Sequence, residues 1–194
     1  MKRLSLLLAI IASLVMASTA IAASPPGKNP IRCEAGGDAS STQNGAQGCE
    51  FVVGEGGAAF AYYGTAGDGK FYPNAWDKNL SSIRQLSFRY SGDEPYGGAP
   101  RFSLQIDPDG PGAMPVSETY VFVLAETCND GSGLVDVIGD ETCVIYYGSE
   151  EYDNWAAFAA AYPDATLYFA FVVADQPGTW SISSVKIGKP GNAK

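Results

Sequence analysis

The stretch from Thr166 to Ile187 constrains the fold most strongly, because it contains two strand patterns separated by a turn signal. Residues 167–174 form an almost unbroken apolar run of strand length, rich in β-branched and aromatic residues. Such a run is typical of a central strand that is buried on both faces. Pro177 and Gly178 mark a turn. We therefore expect this stretch to form a hairpin at the centre of a β-sandwich.

The return strand of this hairpin alternates, but its alternation changes phase. Trp180 and Ile182 share one parity, whereas Val185 and Ile187 share the other. One extra residue in a strand resets the side-chain alternation, so a β-bulge at residues 183–184 would place all four apolar side chains on one face. The sequence therefore predicts a bulge there.

Residues 83–90 and 101–107 carry the clean alternation of half-buried antiparallel strands. If the loop between them forms a hairpin, their polar face becomes one patch made of Gln85, Arg89, Arg101 and Gln105. Two opposed arginines cost energy unless an acid or a ligand lies between them. As an alternative, each arginine pairs with a loop acid such as Asp93 or Glu94.

The whole pattern predicts an all-β fold, an antiparallel β-sandwich with one short helix over residues 153–162 that Asp153 caps. Jelly-roll topology is the expectation within that class. We assign residues 50–188 to the sandwich domain and residues 189–194 to a tail. Residues 23–49 are interpreted as a leader followed by a disulfide-closed loop, and residues 64–81 as one long loop.

The N-terminus has the features of an export signal. Lys2 and Arg3 precede an apolar run, and residues 20–22 (Ala-Ile-Ala) fit the small-residue cleavage rule. We expect residues 1–22 to be removed and the mature protein to be secreted, or periplasmic. No later stretch is apolar and long enough to cross a bilayer.

An exported chain with an even number of cysteines is expected to form disulfides. The four cysteines allow three pairings. We prefer Cys33–Cys49 with Cys128–Cys143, since each bridge then closes one local loop. A zinc site is disfavoured because the chain has no histidine and no C-x-x-C motif.

Charge limits the range of partners. Loss of the two basic residues of the signal changes the formal net charge from −9 to −11. An acidic surface of this kind repels phosphate backbones, so a nucleic-acid partner is not expected. It suits solubility outside the cell and the binding of cations.

Several segments together resemble secreted microbial jelly-roll domains, of which carbohydrate-binding modules are the best-known functional group. The segments that carry this resemblance are LSFRY, PRFSLQID, the DPDG loop and the final GTWSISSVKI strand. The resemblance implies a jelly-roll fold and glycan binding, and it transfers no site residue to this chain.

Sugar binding requires exposed aromatic faces together with planar polar groups. The first candidate site is in the 64–81 loop, with Tyr96 as an additional member: Tyr72, Asn74, Trp76 and Asp77. The second candidate is the strand patch of Gln85, Arg89, Arg101 and Gln105. For every aromatic residue, the alternative is packing in the core or within a loop.

A calcium site is predicted from the loop that begins at Asp107. Asp107, Asp109 and Gly112 match positions one, three and six of the D-x-[DN]-x-[DN]-G loop, and Glu118 falls at position twelve. Pro111 at position five offers no side-chain oxygen. The alternative is a Pro/Gly turn with solvated acids.

The absence of histidine from the sequence excludes Ser-His-Asp and Cys-His catalysis. Glycoside hydrolysis by two carboxylates remains, although acids are almost absent from the strand interiors, with Asp136 as the exception. The leading hypothesis is a non-catalytic binding module for an extracellular polysaccharide. The alternatives are a surface or matrix interaction protein with calcium-stabilised loops, and a carboxylate glycosidase.

Overall fold

The computed structural model describes residues 31–45, 48–67, 70–73, 78–110, 120–128 and 131–188. Over these residues the chain forms two antiparallel β-sheets with a common apolar core between them. Along the strands, buried apolar positions alternate with more exposed ones, and many of these residues are β-branched or aromatic, which favours half-buried strands. The predicted all-β sandwich is therefore confirmed, and the jelly-roll topology stays a prediction.

Nine of the described strands make up the first sheet: β1 (Ile31–Gly36), β4 (Ala58–Gly67), β5 (Lys70–Pro73), β6 (Lys78–Asn79), β8 (Arg101–Asp107), β9 (Tyr120–Leu124), β11 (Ile145–Tyr147), β12 (Glu150–Tyr152) and β13 (Thr166–Ala174). Their main spatial order is β1-β4-β13-β8-β9-β11-β12, while β5 pairs with β4 and β6 pairs with β13. Strand β13 thus lies near the centre of the sheet, as its apolar run predicts.

Five of the described strands make up the second sheet: β2 (Ala39–Gln43), β3 (Gly48–Val53), β7 (Gln85–Gly92), β10 (Leu134–Asp136) and β14 (Gly178–Gly188). Their spatial order is β10-β7-β14-β3-β2. The apolar faces of the two sheets meet in the core, where the rings of Phe88 on β7 and Phe102 on β8 contact edge to face with centroids 4.9 Å apart.

Two expected hairpins are wrong, because in each case the chain crosses from one sheet to the other. Strands β13 and β14 lie in different sheets, and so do β7 and β8. Two hydrogen bonds hold the loop of residues 93–100 to the turn at Pro177 at this corner. The Asp93 N–H donates to the Thr179 carbonyl at 3.0 Å, and the Thr179 N–H donates to the Asp93 carboxylate at 2.7 Å. Consequently Arg89 does not face Arg101, and the predicted four-residue patch does not form.

The predicted bulge in β14 is confirmed. The pairing of β14 with β7 shifts between Ser183 and Lys186, and Ser184 has a φ of 52°. As a result the four apolar side chains on both sides of the shift are all buried: Trp180, Ile182, Val185 and Ile187.

The short helix is confirmed, although it is shorter than predicted and has a different cap. Helix α1 covers Trp155–Ala161, and Trp155, Phe158 and Ala159 are buried. The N-cap is Asn154 rather than Asp153, since the Asn154 side chain accepts a hydrogen bond from the backbone N–H of Ala157 at 2.9 Å. An Asn side chain at this position satisfies a free donor of the first helical turn.

Both predicted disulfides are confirmed, Cys33–Cys49 and Cys128–Cys143. Residues 33–49 do not form a simple loop, because they include most of β1, all of β2 and the start of β3. The first disulfide joins β1 of the first sheet to β3 of the second. The Gln43 side chain adds two hydrogen bonds to β1: it accepts one from the Cys33 N–H and donates one to the Ile31 carbonyl.

The segment predicted as one long loop, residues 64–81, also contains strand structure. It includes the end of β4, the strands β5 and β6 and the start of a short 3-10 helix over Leu80–Ser82. Gly and Ala at positions 64, 66 and 67 concealed this extension of β4, since these residues carry little strand propensity. In the part of the chain that the structure describes, no helix has the length and apolar character of a membrane span.

Candidate functional site

The outer face of the first sheet carries six half-buried aromatic rings. They come in pairs from three strands: Phe60 and Tyr62 from β4, Phe169 and Phe171 from β13, and Tyr120 and Phe122 from β9. We call these six residues the aromatic platform. Half-burial leaves part of each ring accessible to a ligand, while its neighbours fix its position.

Alternation along the strands produces this surface. On β4, Ala59 and Ala61 point into the core and are fully buried, so the side chains of the residues that alternate with them point outward. The same arrangement occurs on β9, where Val121 and Val123 are fully buried. In these segments of β4 and β9, small aliphatic residues therefore face the core, and aromatic residues face outward.

Strand register brings the three pairs together. Tyr62 lies opposite Phe171 on the neighbouring strand, and Ser103 of β8 separates Phe171 from Phe122. In the next row, Gln105 of β8 lies opposite Phe169 on one side and opposite Tyr120 on the other. The aromatic platform thus spans four adjacent strands, a width of roughly 14 Å at the usual strand spacing.

The rings contact one another directly. Phe60 and Tyr62 have centroids 5.7 Å apart and ring planes inclined by 13°, and Tyr62 and Phe169 have centroids 5.9 Å apart with an inclination of 21°. Tyr120 and Phe122 are also nearly parallel, at 10°. Phe171 lies between these groups, with its centroid 5.4 Å from that of Tyr62 and 6.5 Å from that of Tyr120. Such mutual contacts hold the rings in place before any ligand arrives.

An ion pair borders the aromatic platform beside β8. Arg101 donates to both carboxylate oxygens of Asp175, with each N–O distance at 2.6 Å. The same guanidinium lies over the Phe122 ring, 5.2 Å from its centroid, and donates to the Gly98 carbonyl at 3.0 Å. Arg101 therefore pairs with an acid, as the alternative from sequence predicted, but this acid is Asp175 and not Asp93 or Glu94.

A second ion pair borders the opposite side, on β1. The side chains of Arg32 and Glu34 lie 2.8 Å apart, next to Tyr62 and Phe60 in the sheet register. Burial raises the pKa of the Tyr62 phenol, and the Glu34 charge and Tyr120 raise it further, while Arg32 opposes them. The Tyr62 hydroxyl therefore stays protonated, able to donate a hydrogen bond, beyond the pH at which an exposed tyrosine ionises.

No family model, curated protein or solved structure matches this chain. The resemblance to carbohydrate-binding modules therefore stays an expectation from the sequence.

Two of the residues predicted to bind a ligand lie at the aromatic platform. Gln105 lies between two of its rings, and Arg101 lies at its border. Gln85 and Arg89 are on β7 of the other sheet, so the predicted patch is divided between the two sheets.

The first predicted site falls largely outside the described residues. Tyr72 is on β5, where its backbone pairs with Thr65 of β4. Asn74, Trp76 and Asp77 lie outside the described residues. Tyr96 is 45% exposed, and its hydroxyl donates to the Pro177 carbonyl, so this side chain helps to hold the corner between the sheets.

The predicted calcium loop is described only in its first part. Asp107 is buried, and its carboxylate accepts a hydrogen bond from the Asp109 N–H at 3.1 Å, whereas Glu118 lies outside the described residues. Within the described ranges, no three His, Cys, Asp or Glu residues are placed to hold a metal ion. Calcium binding stays a prediction.

Sequence reasoning missed the aromatic platform, although a signal for it was present. The outward parity of β4 and of β9 is aromatic at two successive positions, while the inward positions between and beside them hold Ala59, Ala61, Val121 and Val123. A solvated outer face is normally polar. Aromatic residues on that parity therefore indicate a surface with a binding role.

Proposed function

We propose that this protein is an exported, non-catalytic binding module whose ligand is an extracellular polysaccharide, and that the aromatic platform is its binding surface. The observation that carries the proposal is the grouping of six outward-facing aromatic rings on three strands of one sheet. Contiguous apolar surface on a soluble domain indicates an interaction site.

The chemistry of the surface suits sugar rings. A pyranose has an apolar face of C–H groups that packs on an aromatic ring, and hydroxyls at its rim that form hydrogen bonds. Gln105 offers both a donor and an acceptor between the rings of Phe169 and Tyr120. The Tyr62 hydroxyl adds a second polar group within the aromatic cluster.

The surface is built on strands, which favours recognition of an extended ligand. The rings come from three strands within a span of four adjacent strands and contact each other, so a chain of several sugar units can touch several of them at once. Because each ring is already held by its neighbours, little side-chain entropy is lost on binding.

Export is part of the proposal. Two disulfides fit an oxidising location outside the cytoplasm. The N-terminal sequence supplies a charged start, an apolar run and a cleavage site. We propose that residues 1–22 direct secretion.

The first experiment is a panel of soluble and insoluble polysaccharides incubated with the purified protein, with and without calcium. Protein retention and the release of reducing ends are scored together. We expect retention without release, and a loss of retention in Tyr62→Ala and Phe171→Ala. Release of reducing ends would instead support the glycosidase alternative, and the absence of both signals would favour the interaction-protein alternative.

A further inference from the structure

Each arginine beside the aromatic platform is matched by an acid of the same chain. Arg101 holds Asp175 in a two-pronged contact at 2.6 Å, and Arg32 holds Glu34 at 2.8 Å. The Arg101–Asp175 pair is mostly buried, with 16% and 33% of the two side chains exposed. Among the described residues, these two ion pairs therefore contribute two positive charges and two negative charges to the border of the platform.

This arrangement bears on which polysaccharides the surface accepts. Arginine is the side chain best suited to bind a carboxylate, because its planar fork donates two parallel hydrogen bonds. In Arg101 that fork is already occupied by Asp175. A uronic acid carboxylate would have to displace an acid that the fold holds permanently at the site.

Other negative charges at the same face also disfavour an acidic ligand. Tyr146 continues the row beyond Phe122, and Glu151 lies opposite Tyr146 on the edge strand β12. Burial raises the pKa of the Tyr146 phenol, and the negative charges of Glu151 and Glu126 raise it further. The whole chain has a formal net charge of −9. In the described part of the chain, both arginines at the border of the platform are paired with acids, so an acidic ligand would meet a negative field.

We infer that the aromatic platform selects uncharged polysaccharides, and that the internal pairing of Arg101 with Asp175 is what excludes acidic ones. This inference rests on the proposed function, since it names the substrate class of the same surface. Asp175 acts here as a specificity-determining residue, because it occupies a cation that would otherwise receive a carboxylate.

The test compares matched polymers that differ only in charge. Hydroxyethyl cellulose is paired with carboxymethyl cellulose, and hydroxyethyl starch with carboxymethyl starch. Binding of the full-length protein is measured at low and at high salt by affinity electrophoresis. The variants are Asp175→Asn and, at the second ion pair, Glu34→Gln. Glu141→Gln is the control, since Glu141 is an exposed acid in a turn that follows β10 of the other sheet.

The wild-type protein is expected to bind at least one neutral polymer and to bind its carboxymethyl partner much more weakly. Asp175→Asn is expected to raise the affinity for the carboxymethyl polymer by roughly three- to tenfold at low salt, and high salt should abolish the gain. Affinity for the neutral polymer should change little, and Glu141→Gln should leave both affinities unchanged.

Two kinds of failure are distinguishable. If the wild-type protein binds neither member of any pair, the proposed function is wrong and the inference falls with it. If the wild-type protein binds the neutral and acidic members equally, the surface binds glycans without the proposed selectivity. The same conclusion follows if Asp175→Asn and Glu141→Gln have equal effects. Glu34→Gln decides the outcome if Asp175→Asn does not fold, since its exposed pair contributes little to stability.

Discussion

The bulge in β14 gives a sharp prediction about folding, because it accommodates one extra residue between two pairs of core residues. Trp180 and Ile182 precede the bulge, and Val185 and Ile187 follow it. Deleting Ser184 removes the extra residue and leaves a strict alternation in which all four side chains still share one face. We therefore expect the strand to tolerate this deletion.

The cost of a wrong register follows from the burial of the second pair. Val185 and Ile187 are 1% and 7% exposed. Full burial of such a side chain stabilises by about 1.5–3 kcal/mol, so a register in which this pair left the core would cost about 3–6 kcal/mol. That is a large share of the roughly 5–15 kcal/mol by which a domain of this kind is stable. The deletion keeps the pair on the core face and should cost about 1 kcal/mol or less.

Substitutions at Ser184 test the strained backbone of the bulge, because they leave the number of residues in the strand unchanged. Ser184 has a φ of 52°, a region that a β-branched residue enters only with strain. Ser184→Val should therefore destabilise by about 1–2 kcal/mol, and Ser184→Gly should be nearly neutral, since relief of strain is offset by the greater freedom of the unfolded chain. Ser183→Val is the matched control, because Ser183 has no positive φ.

Urea unfolding followed by tryptophan fluorescence measures these free energies. Ser184→Gly and the deletion are expected to lie close to wild type, and Ser184→Val below them. If Ser183→Val and Ser184→Val lost equal stability, or if the deletion cost about 3 kcal/mol or more, the register account of this strand would be refuted.

Two further predictions concern the cross-links of the fold. Replacing Cys128 and Cys143 together by Ala should lower the melting temperature by several degrees under oxidising conditions. The bridge closes a loop with a sequence separation of 15, and such loops contribute about 3 kcal/mol. An unchanged melting temperature would contradict this prediction. Gln43→Ala should lower the free energy of unfolding in urea by about 1 kcal/mol, because the amide forms hydrogen bonds with backbone groups of β1. The control is Thr42→Ala, at a neighbouring exposed position, which should show no such loss.

Local patterns in the sequence predicted what depends on neighbours along the chain. The phase change in β14 required a bulge, and the structure has one between Ser183 and Lys186. Both disulfides followed from the preference for closing local loops. The buried face of α1 followed from the helical spacing of Trp155 and Phe158.

The assignment of strands to sheets did not follow, because alternation is the same whether two successive strands pair or face each other. Phe88 and Phe102 have the inward parity expected for one hairpin, and they instead meet across the core from opposite sheets. For the same reason the sequence gives no sign that Arg101 lies beside Asp175, which is 74 residues away.

The aromatic platform is hard to recognise in the sequence, because its residues are as hydrophobic as those of the core. In β13 the run from Leu167 to Ala174 was interpreted as buried on both faces, yet Phe169 and Phe171 are only half-buried. An apolar strand is compatible with a covered face and with an aromatic binding face. Only the assembled sheet, in which β4 and β9 add their own rings, distinguishes the two.

The most direct test of the central claim is calorimetric titration of the best neutral polysaccharide into wild-type protein, Tyr62→Ala, Phe171→Ala and Val52→Ala. Val52 is 55% exposed on the outer face of the other sheet and serves as the control. Truncating an anchoring aromatic should weaken binding by roughly tenfold or more, while the control keeps the wild-type affinity. Equal affinities across all four proteins, with folding intact, would show that the aromatic platform is not the binding surface.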